Sequence, residues 1–221
     1  MGMGRHIREE IAKRAAKEIQ PGSIVNLGIG IPSLVPAYLE NGQGIMIQAE
    51  NGVLGMGPPP PHGMEDEHLC NAAGYPVTAV KGASYFDTAT AFGMIRRGRI
   101  DVTILGSLQV SGTGDLANWI VPGKKVPGMG GAMELAQKAK KVIVVMSHTT
   151  SKGEPKIVSR CTIPVTASSC VNMVITEMAV FKIEDQRLFL IEKMGDSTLN
   201  EIVTATEAPV YQWESKERLT P

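Results

Sequence analysis

The chain has 221 residues, 43% of them hydrophobic, enough to fill a core on both faces of a sheet, and one domain over residues 1–221 is expected. Its 22 Lys and Arg balance its 22 Asp and Glu, which removes the charge that would draw it to nucleic acid or to an anionic membrane. No apolar run approaches the ~18 residues of a membrane span. Residues 1–14 are charged rather than signal-like, and Cys70, Cys161 and Cys170 read as reduced thiols, so a soluble cytoplasmic protein is expected.

Ile7, Ile11, Ala12, Ala15, Ala16 and Ile19 recur at helical spacing opposite Arg8, Glu9, Lys13, Arg14 and Lys17, and Pro21-Gly22 ends that helix. A strand over 23–27 leads into the turn Gly28-Ile29-Gly30-Ile31-Pro32-Ser33 and a helix to about residue 39, with Pro32 in its first turn. Ile45-Met46-Ile47 starts a second buried strand. The resulting βαβ unit delivers Glu50 at its end. Gly52, Gly55, Gly57 and the prolines at 58–61 follow; they exclude helix and let another molecule come close to the main chain.

Residues 62–76 read as a polar loop and 77–80 as a short strand. Phe86-Asp87-Thr88 opens a helix to Ile95, with Arg96, Arg97 and Arg99 at its C-terminal end, where cations suit the helix dipole. Residues 101–108 form another buried strand. A second glycine-rich stretch precedes a helix over 132–139. Residues 142–146 are the most uniformly apolar, as in a central strand buried on both faces. Short strands over 161–165, 171–176, 179–183 and 187–191 read as an antiparallel extension, followed by a helix near 199–203 and a strand near 209–212. The fold class expected is α/β: an open sandwich with a mostly parallel sheet plus antiparallel C-terminal strands.

Glu50 is the leading candidate for chemistry. A lone acid at a strand end is ordinarily solvated, but a solvated acid has no need of Gly52, Gly55 and Gly57 beside it. A rival reading takes Gly28-Ile29-Gly30, with an acid about 20 residues on, as part of a dinucleotide-binding fingerprint. Ser33 in place of its third glycine, and Pro32 in the turn, count against that. His62 and His68 flank Glu65, Asp66 and Glu67 without the tight spacing of a metal site, and a solvated acidic loop is expected. Cys70 reads as a small buried residue rather than a nucleophile. Lys124 and Lys125 are placed to meet an anionic ligand.

Glu50-Asn51-Gly52-Val53-Leu54-Gly55-Met56-Gly57-Pro58 is similar to the signature around the nucleophilic glutamate of family I coenzyme A transferases, on their β subunit. Asn26-Leu27-Gly28-Ile29-Gly30-Ile31-Pro32, Gly82-Ala83-Ser84-Tyr85-Phe86-Asp87, Gly114-Asp115-Leu116-Ala117-Asn118-Trp119, Gly128-Met129-Gly130-Gly131-Ala132-Met133-Glu134-Leu135 and Ala179-Val180-Phe181 match in the same order. The resemblance implies the CoA-transferase β-subunit fold, an α-subunit partner with the active site between the two, and coenzyme A as substrate with no permanent cofactor or metal. It implies Glu50 as nucleophile, the Gly131 N–H in an oxyanion hole, and substrate or CoA contacts at Gly28, Gly30, Asn51, Gly52, Gly55 and Gly130.

Three departures bear on the acid transferred. Ala49 precedes Glu50 where relatives acting on 3-oxo acids often have Ser. Gly74 stands where many have a lysine, and the prolines at 58–61 replace a segment that usually holds an aromatic. Expected is CoA exchange between a short-chain acyl-CoA and a carboxylic acid of 3-oxo type through a glutamyl-CoA thioester, with Val53, Leu54, Met56 and the prolines as a dry wall. An acyl-CoA hydrolase on the same scaffold, a dinucleotide-dependent oxidoreductase and a non-catalytic partner remain the alternatives.

Overall fold

A computed structural model describes residues 3–40, 42–120, 123 and 128–220. Helix α1 (Arg5–Ala16) buries Ile11, Ala12, Ala15 and Ala16, the stripe its sequence lays on one face. Strand β1 (Ile24–Leu27) leads not into the expected α-helix but into a 3-10 helix over Pro32–Tyr38. The cause is Pro36 inside it, which lacks the N–H that an α-helix needs there. β2 (Met46–Ala49) then pairs in parallel with β1.

The backbone after Glu50 is more regular than its glycines suggest. Val53–Met56 forms β3, folded back antiparallel on β2, and β4 (Ala79–Tyr85) pairs antiparallel with β3. The strand expected at 77–80 therefore starts later and runs further. α2 (Thr88–Arg96) is capped by Asp87, whose carboxylate accepts from the Thr90 N–H at 2.7 Å. β5 (Val102–Gly106) is followed by two short strands that hydropathy does not reveal, β6 (Gln109–Ser111) and β7 (Leu116–Ala117).

α3 (Ala132–Lys138) precedes β8 (Lys141–Val145); β9 (Ile157–Val158), β10 (Met173–Ile175), β11 (Ala179–Glu184) and β12 (Arg187–Lys193) follow. α4 (Leu199–Ala205), opened by a Thr198–Glu201 capping box, and β13 (Val210–Gln212) complete the elements. No strand forms over 161–165, where the Gln109 side chain takes up the Thr162 N–H at 2.9 Å instead.

One sheet runs β13-β12-β11-β10-β8-β5-β1-β2-β3-β4, and a small one runs β7-β6-β9. The stretch from β10 to β2 is parallel. The expected topology is corrected in two places. β10 belongs to that parallel centre, so the C-terminal antiparallel pairing begins at β11; and a second antiparallel flank, β3 and β4, lies beyond β2. In β8, Ile143 and Val145 face α1 and the 3-10 helix, while Val142 and Val144 face Phe181, Leu188 and Ile202. Period-two alternation thus fills two cores from one strand, at ~1.5–3 kcal/mol per fully buried aliphatic side chain. Among the described residues no helix is long and apolar enough to cross a membrane.

Candidate active site

The sheet order reverses between β1 and β5. From β1 the chain crosses to β2 on one side, and from β5 it goes on to β8 on the other. At such a reversal the carboxyl ends of the strands leave a crevice. A cleft of about 1110 Å³ opens there, lined by the ends of β1, β2 and β5, by Met56 and the prolines at 58–60, and by the segment 128–132 that starts α3.

Glu50 lies half-buried in this cleft, directly after β2. Its Oε2 accepts from Asn26 Nδ2 at 3.1 Å. Asn26 sits on β1 opposite Gln48 on β2, and both side chains are 1% exposed. The same Nδ2 lies 2.8 Å from Gln48 Oε1 and 3.2 Å from the Gln48 carbonyl, so two protons serve three acceptors. Turning both amides would keep the Asn26–Gln48 bond but set the Asn26 oxygen against the Glu50 carboxylate. The charge on Glu50 therefore fixes the orientation. Left over are Asn26 Oδ1 and Gln48 Nε2, buried and without a partner among the described residues.

Gly131, the residue before α3, comes against the other oxygen of Glu50. A Cβ at 131 would lie 3.3 Å from Oε1 and 3.4 Å from the tip of the Phe92 ring. A glycine there lets main chain approach the carboxylate. Gly28 and Gly130 also border the cleft, and a Cβ at Gly28 would meet the Ile104 carbonyl at 3.3 Å.

Four other predicted residues stand behind the cleft wall rather than in it. Gly30 accepts from Ser33 Oγ at 2.7 Å. Gly52 has φ 118°, and a Cβ would fall 2.0 Å from the Phe86 carbonyl; Gly55 has φ 92°, with Ala83 Cα at 3.0 Å from the same kind of atom. Gly55 lets β3 come close to β4, and Gly52 lets the hairpin turn come close to the Phe86 carbonyl just after β4. Asn51 donates to the Cys70 carbonyl at 2.8 Å, tying the hairpin turn to the 62–76 loop. The expected wall is corrected too: Met56 and the prolines at 58–60 line the cleft, whereas Val53 is in the core and Leu54 is paired with Ser84.

The remaining candidates lie elsewhere. Lys124 and Lys125 are outside the described residues. His62 reaches Glu65 at only 3.6 Å, with the imidazole fully exposed, and no described His, Cys, Asp or Glu cluster could hold a metal. Burial pushes the Cys161 and Cys170 thiols up to about 11 and about 12, away from nucleophilic thiolate. Arg96 pairs with Glu134 at 3.2 Å and ties α2 to α3. Missed from sequence were Asn26 and Gln48. Their signal is a polar side chain near the carboxyl end of an otherwise apolar strand, facing another across a parallel pair.

Comparison with known proteins identifies the family. The family model for coenzyme A transferase matches residues 8–205. The chain is 65% identical over 210 residues to the β subunit of a probable coenzyme A transferase of Bacillus subtilis, covering 95% of this chain and 97% of that one. It is 47% identical to one of the subunits of a probable succinyl-CoA:3-ketoacid coenzyme A transferase, also of Bacillus subtilis, over 92% of this chain and 94% of that one. With the β subunit of the acetate CoA-transferase of Escherichia coli it shares 46% identity, over 91% and 92%.

Among solved structures, an acyl-CoA transferase from Escherichia coli O157:H7 superposes with TM-score 0.72 at 20% identity, over 95% of this chain and 43% of that one. The decarboxylase AibA/AibB superposes with TM-score 0.70 at 18% identity, over 96% and 89%. Likeness at these identities speaks for the fold alone, and a decarboxylase on the same fold shows that the fold does not choose the reaction. The family model and the close relatives do: the chain belongs to the coenzyme A transferase family, enzymes that move CoA between an acyl-CoA and a carboxylic acid.

Proposed function

We propose that residues 1–221 act as the β subunit of a CoA-transferase, with an α subunit of similar size closing the cleft, and that Glu50 carries coenzyme A as a covalent thioester. The observation that carries this reading is the half-buried Glu50 carboxylate, held by Asn26 at the sheet reversal with Gly131 main chain beside it. Similarity to chains named as β subunits supports the partner. The names of those relatives support short-chain acids, 3-oxo acids and acetate among them.

Glu50 attacks the thioester carbonyl of the acyl-CoA, giving a mixed anhydride and a CoA thiolate. The thiolate then attacks the glutamyl carbonyl, so that the first acid leaves with one of the glutamate's oxygens. The second acid runs the sequence backwards and restores the carboxylate, which makes the kinetics ping-pong. One thioester replaces another of similar energy, so coenzyme A is needed only as substrate. Each attack puts negative charge on a carbonyl oxygen. The Gly131 N–H is the backbone donor for that charge, and the Asn26 amide is the donor for an oxygen retained by Glu50. Gly28 and Gly130 border the bound substrate, while Gly30, Asn51, Gly52 and Gly55 hold the wall in shape.

The test is to co-express the chain with its candidate α subunit, add acyl-CoA without a second acid, and map CoA by intact mass and peptide sequencing. An adduct on Glu50 that a second acid discharges is expected. Turnover with no adduct, or an adduct on another residue, overturns the reading.

A further inference from the structure

A second cavity of about 380 Å³ lies at the ends of β5 and β8 and shares Gly106 and Ser107 with the large cleft. Arg8, Lys156 and Ser147 line it as well. The only described hydrogen bond of the Lys156 ammonium goes to Ser147 Oγ, at 3.1 Å. Among the described residues, neither Lys156 nor Arg8 has a carboxylate within ion-pair distance. Burial draws the Lys156 amine down to about 8, with the more distant Glu177 pulling the other way. Two cations with no carboxylate in ion-pair contact among the described residues, beside two hydroxyls and lining one hollow, form a site that an anion would stabilise.

The spacing suggests which anion. From the end of β8 to the end of β2 the sheet order is β8-β5-β1-β2, three strand spacings or ~14 Å. The pantetheine arm joins the CoA thiol to its first phosphate through a chain comparable to four extended residues, also ~14 Å. We propose that Arg8 and Lys156 hold the phosphate-bearing end of coenzyme A while its arm runs past Gly106 and Ser107 to Glu50. This rests on the reading that CoA reaches Glu50, and it makes the second cavity a source of binding energy remote from the reacting carbonyl.

The test uses the assembled α/β enzyme with Arg8→Ala, Lys156→Ala and the charge-keeping Lys156→Arg. Charge-assisted contacts of this kind correspond to ~10–100-fold each. For both alanine variants kcat/KM should fall by that factor with acyl-CoA and stay unchanged with acyl-pantetheine, which has no phosphate; Lys156→Arg should recover most of the loss. Pyrophosphate titrated into the resting enzyme should bind wild type more tightly than either alanine variant, a readout needing no chemistry at Glu50. Equal losses on both substrates, no loss on either, or pyrophosphate binding that ignores the substitutions would overturn the proposal. Loss of the α subunit on gel filtration would do so too, by giving the cations to a partner's acid. If pyrophosphate binds as expected but no adduct forms on Glu50, the covalent reading fails and the anion site stands.

Discussion

At the ends of β1 and β2, Asn26 and Gln48 are each 1% exposed, yet Asn26 Oδ1 and Gln48 Nε2 find no partner among the described residues. Just beyond β8 in the same sheet, His148 is 0% exposed, and each ring nitrogen has a threonine hydroxyl at 2.9 Å, Thr176 on one side and Thr206 on the other. Its backbone N–H donates to the Glu177 carboxylate at 3.0 Å, and its ring packs 5.9 Å from that of Phe181. Both places bury polar groups at strand ends. One is closed and satisfied; the other leaves bonding capacity idle beside a carboxylate and an open cleft. A buried donor without a partner costs ~1–3 kcal/mol. Thr103 Oγ1 and Trp119 Nε1 are also buried without a partner among the described residues, so what sets Asn26 and Gln48 apart is that their idle capacity lies beside a carboxylate and an open cleft. Hydrogen-bond satisfaction and access to the cleft distinguish the two clusters, although burial alone would rank them together.

The contrast breaks most sharply at Glu50. Glu50→Ala in the assembled enzyme should lower CoA exchange by on the order of 10⁴-fold or more with little change in melting temperature, measured as steady-state exchange beside a thermal scan. Exchange at full speed would leave the chain a non-catalytic partner. Asn26→Ala comes next, at ~10²–10³-fold in kcat, the usual size of a lost oxyanion donor. It also strands Gln48 Oε1, for ~1–3 kcal/mol of stability. Asn26→Asp separates the two effects, because a carboxylate there repels that of Glu50 and should raise the pH at which activity fades.

At the closed cluster the effect should be on stability alone. Burial, with the charge of Lys156 adding to it, holds the His148 pKa down from 6.5 to about 4. Above pH 6.5 the ring is neutral in folded and unfolded chains alike, and its contribution is complete. As pH falls from 6.5 toward 4, the unfolded chain takes up a proton that the folded one resists. Stability should therefore drop across that window by up to roughly 3 kcal/mol. His148→Phe should flatten this dependence in urea melts from pH 7 to 4.5 and leave exchange kinetics near wild type. Thr176 and Thr206 keep carbonyl acceptors in Ala179 and Ile202, so the substitution strands neither hydroxyl.

Much of this is legible in the sequence wherever a single chain property decides the outcome. The apolar run of β8 forces a doubly buried central strand, and the glycines near Glu50 mark close approach. What the glycines approach is not legible. Gly55 makes room for β4 and Gly52 for the Phe86 carbonyl just after it, because register with a strand some 30 residues away decides which side of the hairpin is covered. β6, β7 and β9 are two or three residues long, too short for periodicity to register, and they exist because of their pairing. Asn26 lies inside the family-like stretch 26–32, but its contact with Glu50 appears only when β1 and β2 pair in register.

The smallest predicted effect concerns water. The carbonyl of Pro58 accepts from the N–H and the hydroxyl of Thr78, at 2.9 and 2.7 Å, and the Gly57 N–H donates to the Thr78 carbonyl at 2.7 Å. The proline segment is thus pinned at one end to the start of β4, and fixed φ angles keep the rest stiff across the cleft mouth. Changing Pro59 and Pro60 to Gly leaves those bonds in place and removes only the stiffness. If CoA is carried on Glu50 as proposed, the thioester behind a looser wall meets more water, so CoA release without an acceptor acid should rise relative to transfer, by no more than about tenfold, or ~1.4 kcal/mol. An unchanged ratio would mean that the barrier to water lies with the α subunit. Brisk release from wild type with no second acid present would instead make the chain a hydrolase, its satisfied and unsatisfied strand ends notwithstanding.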